Sequence, residues 1–467
     1  MRKCPLIHKG ATPLPGKYVA APGNRGKSRS TTSRTDVRAR FAALRTPAGG
    51  GVERGRRQLV PALDRAGGIS SGDSEMKSIK VLVAGGGIGG LALAVALRER
   101  GIAVEVFERA RGFGNTGSGI ELTPNGVKSV DRISAGLGEA VRRAGWSSES
   151  HAGDMPIMSS EGRLLKSREV GNFPAKWGAP MIGILRADLH RILADAVSRP
   201  GPAPVTVHHQ AAVVGAATDG RTASLTLADG RTVTGDVVVG ADGVRSTLRG
   251  IVAGEVPPRY LGFTSVRGIS KRPPQHGDGF VFVGPGGHFF AEAFDDTRLF
   301  WTATVNSPEH VWPAKPVEQA KADLLELWGG WSSPLPETVA SCALEDMVVT
   351  DVHDCPPLKR YHTGRLVLLG DAAHPIGPVL GQGANMALED VATLACLLAE
   401  QDVPAALRLY GRVRSRRANK IVQHSRLLAR LGHTTNPLVG RIRDALISSM
   451  KRREETYRDK ELFSFSP

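Results

Sequence analysis

The residues best suited to chemistry stand in widely separated stretches. Gly85, Gly87 and Gly90 of "VLVAGGGIGG" hold the spacing G-x-G-x-x-G, with Gly89 inside the same turn. Such glycines let a strand turn tightly into a helix and let backbone N–H groups approach a pyrophosphate, whose charge the helix N-terminus favours. Glu108 follows at about the 20-residue interval where an acid reaches a ribose hydroxyl, with Arg109 beside it. Asp242 in "GADG" and Asp371 in "GDAAHP" are acids on glycine-bearing turns. Gly381, Gln382, Gly383, Ala384 and Asn385 offer further N–H groups at a helix start, able to stabilise negative charge. This is the chemistry of a bound dinucleotide, and the glycine motif alone leaves NAD and FAD both open.

These residues need a sheet to hold them. Ile79 to Ala84 is the short apolar, β-branched run that a strand buried on both faces requires. "LALAVALRERG" supplies helix formers and stops at Gly101, and "AVEVFE" is a second strand ending on Glu108. Val237 to Val239 and Leu366 to Leu369 read as two more strands, with Asp242 and Asp371 just past their ends. Open α/β sheets bind ligands there. "LRADLHRIL" starts a helix at Arg186, and "GANMALEDVATLACLLA" continues from the Asp371 loop as a helix of apolar period. Between about residues 255 and 350, "RYLGFTSVRG", "DGFVFVG", "HFFAEAF" and "RLFWTATV" alternate as strands, with "VGPGGHFF" a hairpin turn. Tyr260, Arg267, His288, Phe290 and Trp301 are candidates to line a pocket, although alternation does not say which face each occupies.

Together the glycine turn, "GADG", "GDAAHP…GQGAN…ED" and the R-x-x-L of Arg186 and Leu189 resemble the single-component FAD-dependent aromatic hydroxylases related to para-hydroxybenzoate and salicylate hydroxylase. The likeness runs from about Lys77 to about Arg430. It implies an α/β (α+β mixed) fold, a Rossmann-like FAD-binding domain with a β-sheet substrate domain. The implied division places FAD-binding segments at 76–180, 181–250 and 351–430, a substrate sheet at 251–350 and a helical tail at 431–467.

The resemblance also implies roles. Gly85, Gly87 and Gly90 would cradle the FAD pyrophosphate, and Glu108 would bind the adenosine ribose. Arg186 and Asp371 would meet the pyrophosphate or ribityl chain, and Gly381 to Asn385 the isoalloxazine edge. In "GSGIELTPNGVKSV", Gly119 and Glu121 fall where the family backbone runs beside the flavin. Asp242 stands open between serving the flavin and nicotinamide sites and capping a turn. Pro378 matches a family proline close to the reacting oxygen and substrate, and His374 reads as structural.

The resemblance implies that NADH or NADPH docks transiently as reductant without a dedicated domain, and no second G-x-G-x-x-G follows a strand. The implied reaction transfers one atom of O₂ from a flavin C4a-hydroperoxide to a phenolic or N-heteroaromatic ring. His288 or Tyr260 could act as the base that activates a phenol. The alternative is an FAD-dependent oxidase or reductase of the same fold without oxygen insertion. The basic helix "ALRLYGRVRSRRANKIVQHSRLLARLG" is expected to turn its Arg run to solvent.

Composition bounds the rest. The 467 residues and 41% hydrophobic content support a substantial core. No apolar run approaches the roughly 18 residues of a membrane span. The cysteines, Cys4, Cys342, Cys355 and Cys396, have neither close pairing nor metal-ligand spacing, which suits a reducing, cytoplasmic setting without a metal. The net charge of +16 is uneven: residues 1–75 carry 15 Lys or Arg against 5 Asp or Glu, leaving 46 against 40 for the remainder. That leader, residues 1–75, reads as disordered. It fits a transit peptide, a basic tether, or an upstream translation artefact with Met76 as the working start. The partners that the resemblance implies are a small aromatic substrate, O₂ and NAD(P)H; no nucleic acid and no membrane span are expected, in a monomer or homodimer.

Overall fold

The computed structural model describes residues 79–112, 118–150, 154–273, 277–449 and 459–465. The basic leader lies outside them. Along the chain, β1 (Lys80–Ala84), α1 (Ile88–Arg98) and β2 (Ala103–Phe107) form a βαβ unit. Next, β3 (Gly119–Leu122) runs into α2 (Pro124–Ile133), β4 (Ile182–Leu185) into α3 (Arg186–Ser198), and β5 (Val237–Gly240) is followed by α4 (Thr247–Ala253). Five longer strands follow: β6 (Arg259–Lys271), β7 (Gly279–Gly284), β8 (Gly287–Ala293), β9 (Arg298–Asn306) and β10 (Val348–Asp354). Then come β11 (Leu366–Leu368), α5 (Gly383–Glu400), α6 (Val403–Gly432) and α7 (Pro437–Ser449).

A six-stranded sheet has the order His362–Thr363, β11, β5, β1, β2, Val205–His208. It is parallel except at the His362–Thr363 edge. The runs Val81–Ala84, Val237–Val239 and Leu366–Leu368 are buried throughout, as strands covered on both faces must be. Strands far apart in sequence thus end side by side, and the turns after β1, β5 and β11 meet at one sheet edge.

The second large sheet has the order β10, β6, β9, β8, β7, Met155–Ser159, Leu164–Arg168. β7 and β8 form the expected hairpin, Gly284 facing Gly287. This sheet draws on residues well before 251, because Met155–Ser159 pairs in parallel with β7. One face packs an aromatic core of Phe280, Phe282, Phe289, Trp301 and Trp328. A small three-stranded sheet, β3, β4 and Trp146–Ser147, carries the strand expected beside the flavin.

Candidate active site

The first turn is built by close approach. Gly85 has φ +108°, a left-handed conformation that favours glycine, and a Cβ there would meet the Ala241 carbonyl oxygen at 2.4 Å. A Cβ on Gly90 would stand 1.9 Å from the Gly85 oxygen, so α1 can pack against the turn only without it. Beside Gly87 the space is open. Glu108 stays with this turn: its carboxylate accepts from the Gly86 N–H at 2.8 Å and the Ala110 N–H at 2.9 Å. Arg109 is exposed.

A cavity of about 1100 Å³ runs from this turn to the large sheet. Gly87, Gly89, Gly119, Glu121, Arg186, Asp371, Pro378, Gly381, Gly383 and Ala384 all line it. Neither α1 nor α5 has a side chain capping its N-terminus, so first-turn N–H groups remain for an anion. Gly85, Gly90, Glu108 and Arg109 do not line the cavity. Two others of the late loop turn inward instead. Gln382 bonds the Asn125 and Thr123 side chains at 3.0 Å, and Asn385 accepts from the Thr123 N–H at 3.0 Å and donates to the Glu121 carbonyl at 2.9 Å. They fasten the start of α5 to β3 and α2, because buried amides need partners and the strand offers them.

Asp371 reaches the cavity and is exposed to it. The protein around the cavity mouth strips water from its carboxyl and pushes the pKa up, against the opposing pull of His374, Arg186 and Arg249. Buried Arg249 donates to the carbonyls of Asp371 at 3.1 Å and Ala372 at 3.3 Å, clamping the loop. Asp242 does not reach the cavity. Its carboxylate accepts from Ser246 Oγ at 2.5 Å and the Leu248 N–H at 3.1 Å, holding the start of α4, as a turn cap does.

The loop's other support is a buried charged cluster. Asp390 accepts from the Gly370 N–H at 2.8 Å, from Arg414 Nε at 2.6 Å and bonds His374 Nε2 at 2.6 Å. Burial alone would raise its pKa, but His374 and Arg414 hold it at about 2. Glu389 accepts from Asn125 at 2.7 Å, Arg414 at 2.5 Å and Arg417 at 2.6 Å. The Arg run of α6 therefore does not all face solvent: Arg414 is 0% exposed and Arg417 largely covered. A helical period shows the stripe, but not the two acids waiting beneath it.

At the sheet end, Phe290, Phe300, His288, Arg267 and Ser265 line the cavity. Arg267 donates one Nη to Thr350 at 2.8 Å, while its Nε and the Oγ of Ser265 find no partner among the described residues. Burial lowers the Arg267 pKa, and nearby Arg186 adds to this. His288 bonds Thr304 through Nδ1, and burial pulls its pKa down to about 4, which leaves it a neutral contact and a weak base. Tyr260 does not line the cavity; its hydroxyl donates to the Ser307 carbonyl at 2.7 Å. Trp301 lies in the aromatic core, its indole donating to Ser270 at 2.8 Å.

The chain's end also contributes: Leu446 and Ile447 of α7, with Asp459, Leu462 and Phe463, line the cavity. Sequence reasoning left this tail without a role. Phe463 and Phe465 in an otherwise polar stretch were the available signal.

This assembly is that of a flavoprotein: a parallel sheet whose strand ends gather a phosphate turn, an acid loop and an uncapped helix about one long cavity. Comparison narrows the class. The family model described as "FAD binding domain" matches residues 78–263 and 350–425. Aurachin C monooxygenase/isomerase of Stigmatella aurantiaca is 35% identical over 83% of this chain and 99% of its own length. A 3-amino-4-hydroxybenzoate 2-monooxygenase of Streptomyces platensis is 33% identical over 80% of this chain and 94% of its own. The crystal structure of Klebsiella pneumoniae HpxO complexed with FAD and uric acid superposes with a TM-score of 0.74, at 26% identity, over 82% of this chain and 97% of that one. The chain belongs to the FAD-dependent aromatic hydroxylase family.

Among the described residues, no helix is long and apolar enough to cross a membrane, and Cys342, Cys355 and Cys396 are free thiols.

Proposed function

We propose that the protein is an NAD(P)H-consuming FAD monooxygenase that hydroxylates an aromatic ring bearing an oxygen acceptor. The observation that carries this reading is the continuity of one cavity, from the open side of Gly87 past Asp371 and Gly383 to Arg267 and Ser265. Bound there, FAD would supply the activation of O₂, and every other requirement falls to side chains and backbone.

The pyrophosphate fits the α1 N-terminus, with Arg186 able to add positive charge. Asp371 would accept from hydroxyls of the ribityl chain. Gly381, Gly383 and Ala384 bring N–H groups of the α5 start to the flavin's pyrimidine edge, where negative charge is favoured. Pro378 shapes the space beside it. Phe290 and Phe300 give the substrate ring an apolar wall that keeps water away from the reacting atoms. Arg267 Nε and Ser265 Oγ are donors that want an acceptor, as a carboxylate, carbonyl or phenolate oxygen provides. The relatives named for 3-amino-4-hydroxybenzoate and for a uric acid complex deal with ring compounds carrying such oxygens. Glu108 would reach the adenosine end from outside the cavity. NADH or NADPH would dock transiently.

The test is purification followed by turnover. The protein should be yellow, oxidise reduced nicotinamide faster when the right phenol, benzoate or hydroxypyridine is added, and place one atom of ¹⁸O₂ in the product. Product formation without label would instead establish an oxidase or reductase of the same fold.

A further inference from the structure

Side chains of metal-ligating type meet at the edge of the large sheet, where β10 is paired with β6 alone. That pairing slips between Tyr260 and Thr264, so a bulge separates His353, opposite Tyr260, from Asp351, opposite Thr264. Two positions apart on β10, Asp351 and His353 share one face of the strand. From β9 the chain runs on past Asn306 and crosses the bulge, the Ser307 N–H donating to the Gly262 carbonyl at 3.3 Å. It thereby brings Glu309 and His310 to the two β10 residues.

The spacings there are short. His310 Nδ1 lies 3.4 Å from Asp351 Oδ2, and its Nε2 3.7 Å from Glu309 Oε1. One ligand atom from each of Glu309, His310 and Asp351 lies within 4.8 Å of the other two. The carboxylates are already oriented. Asp351 accepts from Thr264 Oγ1 at 2.8 Å and from the His310 N–H at 2.7 Å, and His353 Nε2 bonds Glu309 Oε1 at 2.7 Å. His310 has φ +68°, a conformation uncommon outside glycine, and from it both its N–H and its ring face the Asp351 carboxylate.

Charge at this edge is unbalanced. The Asp351 side chain is only 6% exposed, yet among the described residues neither Asp351 nor Glu309 pairs with a lysine or arginine. Asp354 on the same strand shows the alternative, since Arg426 reaches it with two nitrogens. A carboxylate taken out of water without a cation is costly.

We propose that Glu309, His310 and Asp351 hold one divalent cation of the zinc class, with His353 orienting Glu309. Bonds of about 2.0–2.2 Å at a tetrahedral ion set ligand atoms roughly 3.4 Å apart, so the observed spacings need only small side-chain rotations. An imidazole among the donors suits zinc, whereas calcium and magnesium take oxygen shells. The ion neutralises the two acids and pins the loop after β9 to the edge strand. Asp351 and His353 line the cavity, next to the Thr350 that holds Arg267, so the pin stiffens that wall. Local spacing gives no sign of the site, because His310 and Asp351 are 41 positions apart.

Calorimetric titration of the FAD-loaded full chain with zinc chloride, after dialysis against a chelator and near neutral pH, is the test. One zinc ion should bind per chain, in preference to calcium or magnesium chloride, and should raise the melting temperature. X-ray absorption at the zinc edge should show a nitrogen and oxygen shell that includes imidazole. His310→Ala and Asp351→Asn should each weaken zinc binding at least tenfold and abolish the rise in melting temperature. Asp229→Asn, at an exposed acid of a distant turn, should change neither. The exposed His310 serves the test even if Asp351→Asn fails to fold. No zinc on the wild type, undiminished binding in His310→Ala, an all-oxygen shell, or calcium held as tightly as zinc would overturn the proposal. No step of it uses the flavin or O₂, so missing ¹⁸O in the product would count against the hydroxylase reading and leave the zinc titration as it is.

Discussion

The two ends of the cavity treat buried charge in opposite ways. Beneath the Asp371 loop, the carboxylates of Glu389 and Asp390 are fully paired with Arg414, Arg417 and His374, and in this cluster His374 Nδ1 alone lacks a partner among the described residues. At the sheet end, Arg267 Nε, Ser265 Oγ and Glu292 Oε2 are buried without partners among the described residues. Paired charges resist rearrangement and fix a loop, whereas buried donors and acceptors left unpaired favour a ligand that can complete them. On the proposed function, the first end would be the firm grip for the flavin and the second the place for the transient substrate.

The sharpest way to break this contrast is Arg414→Ala. It removes the shared cationic partner of two buried carboxylates and should destabilise the protein by roughly 3–5 kcal/mol, read from urea denaturation. A loss under about 1 kcal/mol would mean that the cluster is not the support it looks like. At the open end the expectation reverses. Arg267→Ala should lower kcat/KM for the aromatic by roughly tenfold to a hundredfold, the scale of one charged hydrogen bond, with the melting temperature held or raised. A large fall in melting temperature would place Arg267 among the structural residues. Between these extremes, Asp371→Ala should weaken FAD retention by about tenfold. Cys355→Ser should leave retention alone, since that thiol is buried against the Val256 carbonyl. Equal flavin absorbance in the two purified variants would contradict the role of Asp371.

The smallest effect is in pH. Burial depresses His288 from 6.5 to about 4 and His433, helped by His288, from 6.5 to about 3. Both histidines take up protons in the unfolded chain before the folded one, so stability is full above about 6.5 and falls as pH drops toward 4. His288→Asn should flatten that slope in denaturation midpoints at pH 7 and 5. An unchanged slope would show that His288 is not buried neutral.

Much of the grip was legible in the sequence, because its signals are local. Glycine spacing after a β-branched run, an acid after a strand, and an apolar helix start can each be read within about a dozen residues. The opposite end was not, since its meaning lies in pairs far apart. Tyr260 and Trp301 alternate on a strand as well as Arg267 does, and only the sheet's packing decides that Trp301 enters the core and Tyr260 bonds Ser307. Gln382 and Asn385 read as cavity residues until β3 and α2 supply their partners. Arg414 reads as solvated until Glu389 and Asp390 come beneath it.

A crystal structure with FAD and a turned-over aromatic both bound tests the central claim most directly. The account predicts the pyrophosphate at the Gly87 turn, the isoalloxazine between Gly383 and β3 with Asp371 beside the ribityl chain, and an oxygen of the aromatic on Arg267 and Ser265. An aromatic seated elsewhere, with those two side chains still unpartnered, would contradict it.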